Sequence, residues 1–183
     1  MNNRMKMAAG WLVLCALLIA GCSSKTETAA AAPAQTFSDP FAYCAAVNTI
    51  DTPDARYTGQ PVPDAVIGGF IRAAELAVGE EAFEMFRQTT IWRCMDGKVY
   101  ACNYGANLPC DSKADTNEKP SQAMQDFCAQ NPGAEAIPMS VTGHATIYSW
   151  GCQAETPVVL EQIDQPDAAG FLSRIWYPLT PED

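Results

Sequence analysis

Six cysteines, Cys44, Cys94, Cys102, Cys110, Cys128 and Cys152, run through the chain from residue 44 onward with no two closer than eight positions. That spacing removes two common roles. A structural zinc site needs close ligand pairs of the C-x2-C or H-x3-H kind, and the chain has one histidine, His144. A thioredoxin-like redox site needs C-x-x-C, which is absent. In an oxidising compartment an even set reads as three disulfides, each contributing about 2 to 4 kcal/mol, with fifteen formal pairings open. At 183 residues the chain has room for one ordinary domain and a leader.

The leader supplies the compartment. Residues 1 to 22, MNNRMKMAAGWLVLCALLIAGC, begin with Arg4 and Lys6, continue as an uncharged apolar run, and end on a small residue before Cys22. This is a secretory signal by pattern, and too short for a membrane span, which needs about 20 apolar residues. Leu18-Ile19-Ala20-Gly21-Cys22 resembles the lipobox of bacterial lipoproteins. The resemblance implies that signal peptide 1–21 is removed and that Cys22 carries the lipid, with palmitate among its acyl chains. Two or more chains anchor stably, since each buried CH₂ contributes about 0.8 kcal/mol. Ser23 after the cysteine, rather than Asp, resembles the signal for the outer membrane, facing the periplasm. Residues 22–38 are small and polar, too poor in bulky apolar groups to order themselves, and read as a flexible tether. A single domain over 39–183 follows.

Charge narrows the partners. Removing Arg4 and Lys6 from the 11 basic residues leaves 9 against 21 acids, a net of −12 for the mature chain. A phosphate backbone would repel such a surface, so nucleic acid is excluded.

In TIWRCMDGKVYAC, 90 to 102, β-branched and aromatic residues flank Asp96-Gly97, the signature of a two-residue hairpin turn. That turn sets Met95 against Lys98, Cys94 against Val99 and Cys102 against Ile91. Cys94 and Cys102 then lie about 10 Å apart along the ladder with side chains on opposite faces. A bridge needs Cα atoms roughly 4.4 to 6.8 Å apart. The two are therefore not partners, and each ties the hairpin to something else.

Elsewhere Asp39-Pro40 opens a helix over 40–47. Val66, Ile67, Phe70, Ile71, Ala74 and Val78 form one helical stripe, in which Gly68 and Gly69 either weaken the helix or admit a close neighbour. Glu80 and Glu81 open a short segment carrying Phe83 and Phe86. The polar loop 105–120 leads into a helix that places Met124, Phe127 and Cys128 on one face and stops at Asn-Pro-Gly. Cys110 with Cys128 is the pairing that closes this loop and helix. IPMSV, ATIYSWGC, PVVLEQI and FLSRIWYPL read as strands, the last two separated by the turn-like QPDAAG. The expected fold is α+β: an antiparallel sheet of about five strands, two or three helices on one side, and disulfides. TIWRC and TIYSWGC are alike, which fits either two related hairpin units or coincidence.

Candidate chemistry is sparse. His144 as a general base would require a nucleophile such as Ser140 or Thr142 and an orienting acid; a solvated turn residue is the plainer reading. Trp92, Trp150 and Trp176 fall in strands as core residues, with Trp150 the candidate for an exposed binding platform. The methionines do not form M-x-x-M copper arrays, no carboxylate pair stands out as a glycosidase couple, and no cofactor or metal is implied.

WRCMDGKVYAC with Tyr104-Gly105 and the later LPC resembles small cysteine-containing exported proteins of proteobacteria that carry no assigned activity. The aromatic-x-Cys strand Trp92-Cys94 before Gly97 is also similar to periplasmic and membrane-bound lysozyme inhibitors. Their Ser-Gly-x-x-Tyr loop is approached here by Thr142-Gly143 and Tyr148, at a different spacing. The expectation is a non-enzymatic envelope protein that binds another envelope or cationic protein, with a cell-wall-directed hydrolase or an inhibitor of a cationic enzyme as alternatives.

Overall fold

The computed structural model describes residues 35–105 and 107–181. The leader, Cys22 and most of the tether lie outside the described residues. Phe37 is already paired, its N–H donating to the Arg56 carbonyl and its own carbonyl accepting from Thr58 N–H.

The fold is α+β. Helices α1 (Pro40–Val47), α2 (Asp64–Ala73) and α3 (Glu80–Thr89) precede the hairpin β1 (Thr90–Met95) and β2 (Lys98–Asn103). Then come α4 (Gln122–Gln130), the single turn α5 (Met139–Thr142), a second hairpin of β3 (Tyr148–Gln153) and β4 (Thr156–Gln162), a 3₁₀ turn Ser173–Ile175, and β5 (Tyr177–Pro178). The strands form two antiparallel sheets, β1-β2-β5 and β3-β4, rather than the single sheet expected.

Local chemistry accounts for most elements. Asp39 Oδ1 accepts from Ala42 N–H at 2.7 Å, capping α1 in front of Pro40. Asp96 and Gly97 take φ of 52° and 74°, the left-handed pair that a two-residue turn demands. The register follows as expected: Met95 opposite Lys98, Cys94 opposite Val99, Cys102 opposite Ile91. Gly69 is the close-approach case, for a Cβ there would stand 3.2 Å from Leu179 Cδ1. The stripe ends before Val78, which is exposed.

The cysteines pair Cys44–Cys94, Cys102–Cys110 and Cys128–Cys152. Cys94 and Cys102 are indeed not partners; the expected Cys110–Cys128 bridge is overturned. The loop after β2 turns back on the strand's own end and delivers Cys110 to Cys102, while α4 presents Cys128 to β3. Each disulfide sits in its own hydrophobic cluster. The first lies with Tyr43, Val66, Ile67, Phe70, Trp92 and Leu179, the second with Ile147, Phe171, Leu172 and Trp176, the third with Met124, Ile137 and Trp150.

Two strand expectations are corrected. IPMSV is not a strand: Val141 and Thr142 N–H groups bond back to the Pro138 carbonyl, and Gly143 closes the turn at φ 92°. FLSRIWYPL is not a continuous strand either. Phe171 and Trp176 pack with ring centroids 5.4 Å apart. Residues five apart in a strand would face opposite sides and stand roughly 17 Å apart, so the 3₁₀ turn is what brings the rings together. QPDAAG is a turn, closed by Gly170 N–H on the Asp167 carbonyl.

The likeness of TIWRC and TIYSWGC has a geometric counterpart. In each case a helix ends on an asparagine cap, Asn48 or Asn131, and carries a cysteine bridged to the strand, Cys44 to Cys94 or Cys128 to Cys152. The segment after each helix pairs with that strand at the bridged cysteine: Ile50 and Cys94 exchange two hydrogen bonds, and Cys152 N–H donates to the Ala134 carbonyl. These segments occupy the outer edges of β1 and β3, so the two hairpins do not join into one sheet. Helices α2 and α3 are inserted in the first unit alone, and Arg93 of Trp92-Arg93-Cys94 stands where the second unit has Gly151.

Candidate functional site

Arg93 lies in mid-strand yet is fully buried. Its guanidinium sits 4.4 Å from the Trp176 ring centre and 4.5 Å from that of Phe171, with Tyr100 at 5.4 Å. Its Nη2 donates to Asp167 Oδ2, whose other oxygen accepts from Ala169 and Phe171 N–H. Lys113 covers Phe171 at 3.7 Å and pairs with Asp51 at 2.6 Å. This stack is enclosed, and it joins the 167–176 segment to the first hairpin. Its place is structural.

The candidates from sequence scatter. His144 stands half-buried in the turn after α5, and its Nδ1 has no hydrogen-bond partner. No ion pair joins it to a carboxylate among the described residues. Trp150 is 3% exposed and packs with Met124 and Ile137, so its ring is not a surface platform; Nε1 lies 3.5 Å from Thr146 Oγ1. Thr142, Thr146 and Trp150 instead border a small cleft of about 190 Å³ with Asp115 and Ser121. Among the described residues no three His, Cys, Asp or Glu side chains gather as a metal site, and no helix is long and apolar enough to cross a membrane.

Ionisable groups are shifted at the periphery. The Arg56 guanidinium, aided by its backbone N–H, holds the Asp54 carboxyl down at about 2. A hydrogen bond to Glu118, at 3.0 Å, raises the Tyr148 phenol, and burial raises that of Tyr104.

An apolar groove of about 500 Å³ has the dimensions of a binding site. Its floor is built by α2, α3 and the C-terminal segment. Phe70 packs on Phe86 at 5.9 Å and edge-on to Tyr177 at 5.3 Å, and Ile175 continues the surface. Leu76, Leu108 and Met139 form its walls; Leu76 and Leu108 keep 39% and 40% of their surface exposed. The Cys102–Cys110 bridge closes the loop that holds Leu108. Three of its lining residues carry polar groups, Asn103, Arg174 and, through its phenol, Tyr177. Asn103 Nδ2 already donates to Thr89 and Thr90 hydroxyls at 2.7 and 2.9 Å. Arg174 Nε stands 3.1 Å from Asp164 Oδ2, with 47% of the Arg174 side chain open.

The sequence pattern places none of Arg174, Leu108 and Met139 in a site. The signal for Leu108 was a lone large apolar residue within a polar loop; nothing local marked the other two. Comparison with the known protein families, the curated proteins and the solved structures gave no match.

Proposed function

We propose that the chain is a lipid-anchored protein of the bacterial cell envelope, held at the outer membrane through Cys22 and facing the periplasm, that acts by binding rather than by catalysis. The observation that carries the binding reading is the groove: a preformed apolar concavity within the roughly 300 to 1,000 Å³ range of small-molecule sites, bordered by few polar groups. The lipobox-like run ending at Cys22 supports the anchor, and the cysteine set supports an oxidising compartment. The excess of acids favours encounter with basic envelope components by steering.

Two measurements test this. A palmitate analogue fed to cells should label the protein and not the Cys22→Ala variant; label retained by the variant would overturn the anchor. A photoreactive amino acid at Leu108 should form adducts in cells that a matching substitution at exposed Glu155 does not. Equal adducts from both positions, with purified protein degrading peptidoglycan, would replace binding with hydrolysis.

A further inference from the structure

Resting on the binding reading, we propose that the groove takes a single-chain amphiphile with an anionic head group, its acyl chain along Phe70, Phe86, Leu108 and Tyr177 and its head group on Arg174. The lining separates the two demands. Asn103, Arg174 and the Tyr177 phenol are its polar members; the Asn103 amide nitrogen is engaged by two threonines, and of the three Arg174 alone carries a charge. Recognition of a charged head group therefore falls to Arg174.

The sign of the head group follows from the local charge. On a chain with 21 acids against 11 bases, a cation stands at the border of this apolar groove. Asp164 positions it from one side. That carboxylate is itself fixed by Gln165 N–H at 2.8 Å and Ser173 Oγ at 3.1 Å, and its side chain is 3% exposed. A cationic head would find Asp164 enclosed. An anionic head finds the open part of a guanidinium, whose planar fork suits carboxylate and phosphate oxygens. For the tail, each methylene buried contributes about 0.8 kcal/mol. A volume in the lower half of the small-molecule range favours one chain over two.

A fatty acid and a lysophospholipid share this chemistry, and competition separates them. The test uses the full chain in amphipol and three photoreactive C16 probes that differ in head group: carboxylate, alcohol and trimethylammonium. The carboxylate should label peptides holding Leu76, Leu108 or Met139 most strongly. Palmitate and palmitoyl lysophosphatidic acid should compete, the lower effective concentration identifying the source. Arg174→Gln should cut carboxylate labelling about tenfold and leave alcohol labelling unchanged, the scale of one charge-assisted hydrogen bond. Ala74→Trp, at the lining of the groove, should remove labelling by both, with far-ultraviolet circular dichroism checking that the variant is folded.

Equal labelling by all three probes, unaffected by Arg174→Gln, would overturn the head-group assignment and leave groove binding standing. Absence of groove labelling while the Leu108 photoadduct persists in cells would overturn the amphiphile and keep the binding reading. Loss of both would overturn the two together. Labelling that rises sharply in Cys22→Ala would show that the chain's own acyl group had filled the groove, which also overturns a free ligand.

Discussion

Replacing Arg93 should be among the most damaging single changes available to this protein, and the structure gives the size. Arg93 is 0% exposed and Asp167 9%, so each holds the other's charge away from water. Arg93→Ala leaves the Asp167 carboxylate without its counter-ion and opens a gap between the Phe171 and Trp176 rings. Losing one member of a buried pair costs about 3 to 5 kcal/mol. For a chain of this length each kcal/mol moves the melting midpoint by roughly 2 to 4 °C, so the fall should be about 6 to 20 °C. Arg93→Met separates the causes, because it refills much of the gap but still strands the carboxylate. Adding Asp167→Asn removes the stranded charge while its side-chain oxygen can still accept from Ala169 and Phe171 N–H. The double variant should therefore be more stable than Arg93→Met alone, by about 2 kcal/mol or more. Urea and thermal unfolding at neutral pH with the disulfides intact, followed by near-ultraviolet circular dichroism, would measure all three. A loss under about 1 kcal/mol for Arg93→Ala, or no recovery on adding Asp167→Asn, would refute the pairing as the tie between the C-terminal segment and the first hairpin.

The disulfides should differ in worth by the loops they close. Separations of 50, 24 and 8 residues correspond to about 4, 3.5 and 2.5 kcal/mol in the chain-entropy account. Paired Cys→Ser variants should thus rank Cys44/Cys94 as most destabilised and Cys102/Cys110 as least; peptide mapping without reduction should return these three pairs and no free thiol among the six. The Asp54 carboxyl should titrate near pH 2 rather than near its reference 3.8. Its folded form being the more acidic, the contribution is complete above about pH 4 and lost as pH falls through 2. A carboxyl carbon NMR titration midpoint near 4 would refute the Arg56 contact.

What the sequence made legible was whatever local chemistry decides. Asp96-Gly97 admits one register for its hairpin, so the pairing of β1 with β2 followed from two residues. Asp39-Pro40 fixed the start of α1 in the same way. The failures share a cause, which is long-range docking. Arg93 reads as an ordinary strand charge because its counter-ion lies 74 residues away. Cys110 bonds Cys102 rather than Cys128 of the next helix, and a loop's return path leaves no trace in composition. FLSRIWYPL has strand propensity, and the demand of Arg93 for two rings on one side overrides it. The groove was hidden for the same reason, since its residues come from α2, α3, the Cys110 loop, α5 and the C-terminal segment.

The disulfide pattern also bears on how the chain is made. Counted from Cys44, the first of the six cysteines bonds the second, the third the fourth, and the fifth the sixth. No bridge crosses another. Among these six, a chain delivered N-terminus first into an oxidising space exposes each thiol's native partner before a rival from the other pairs. Oxidation in order of emergence would then yield the native bridges with no reshuffling, and maturation there should require an oxidase but no isomerase. Equal yields of correctly bridged protein in cells with and without a disulfide isomerase would bear this out, and a collapse without it would contradict it.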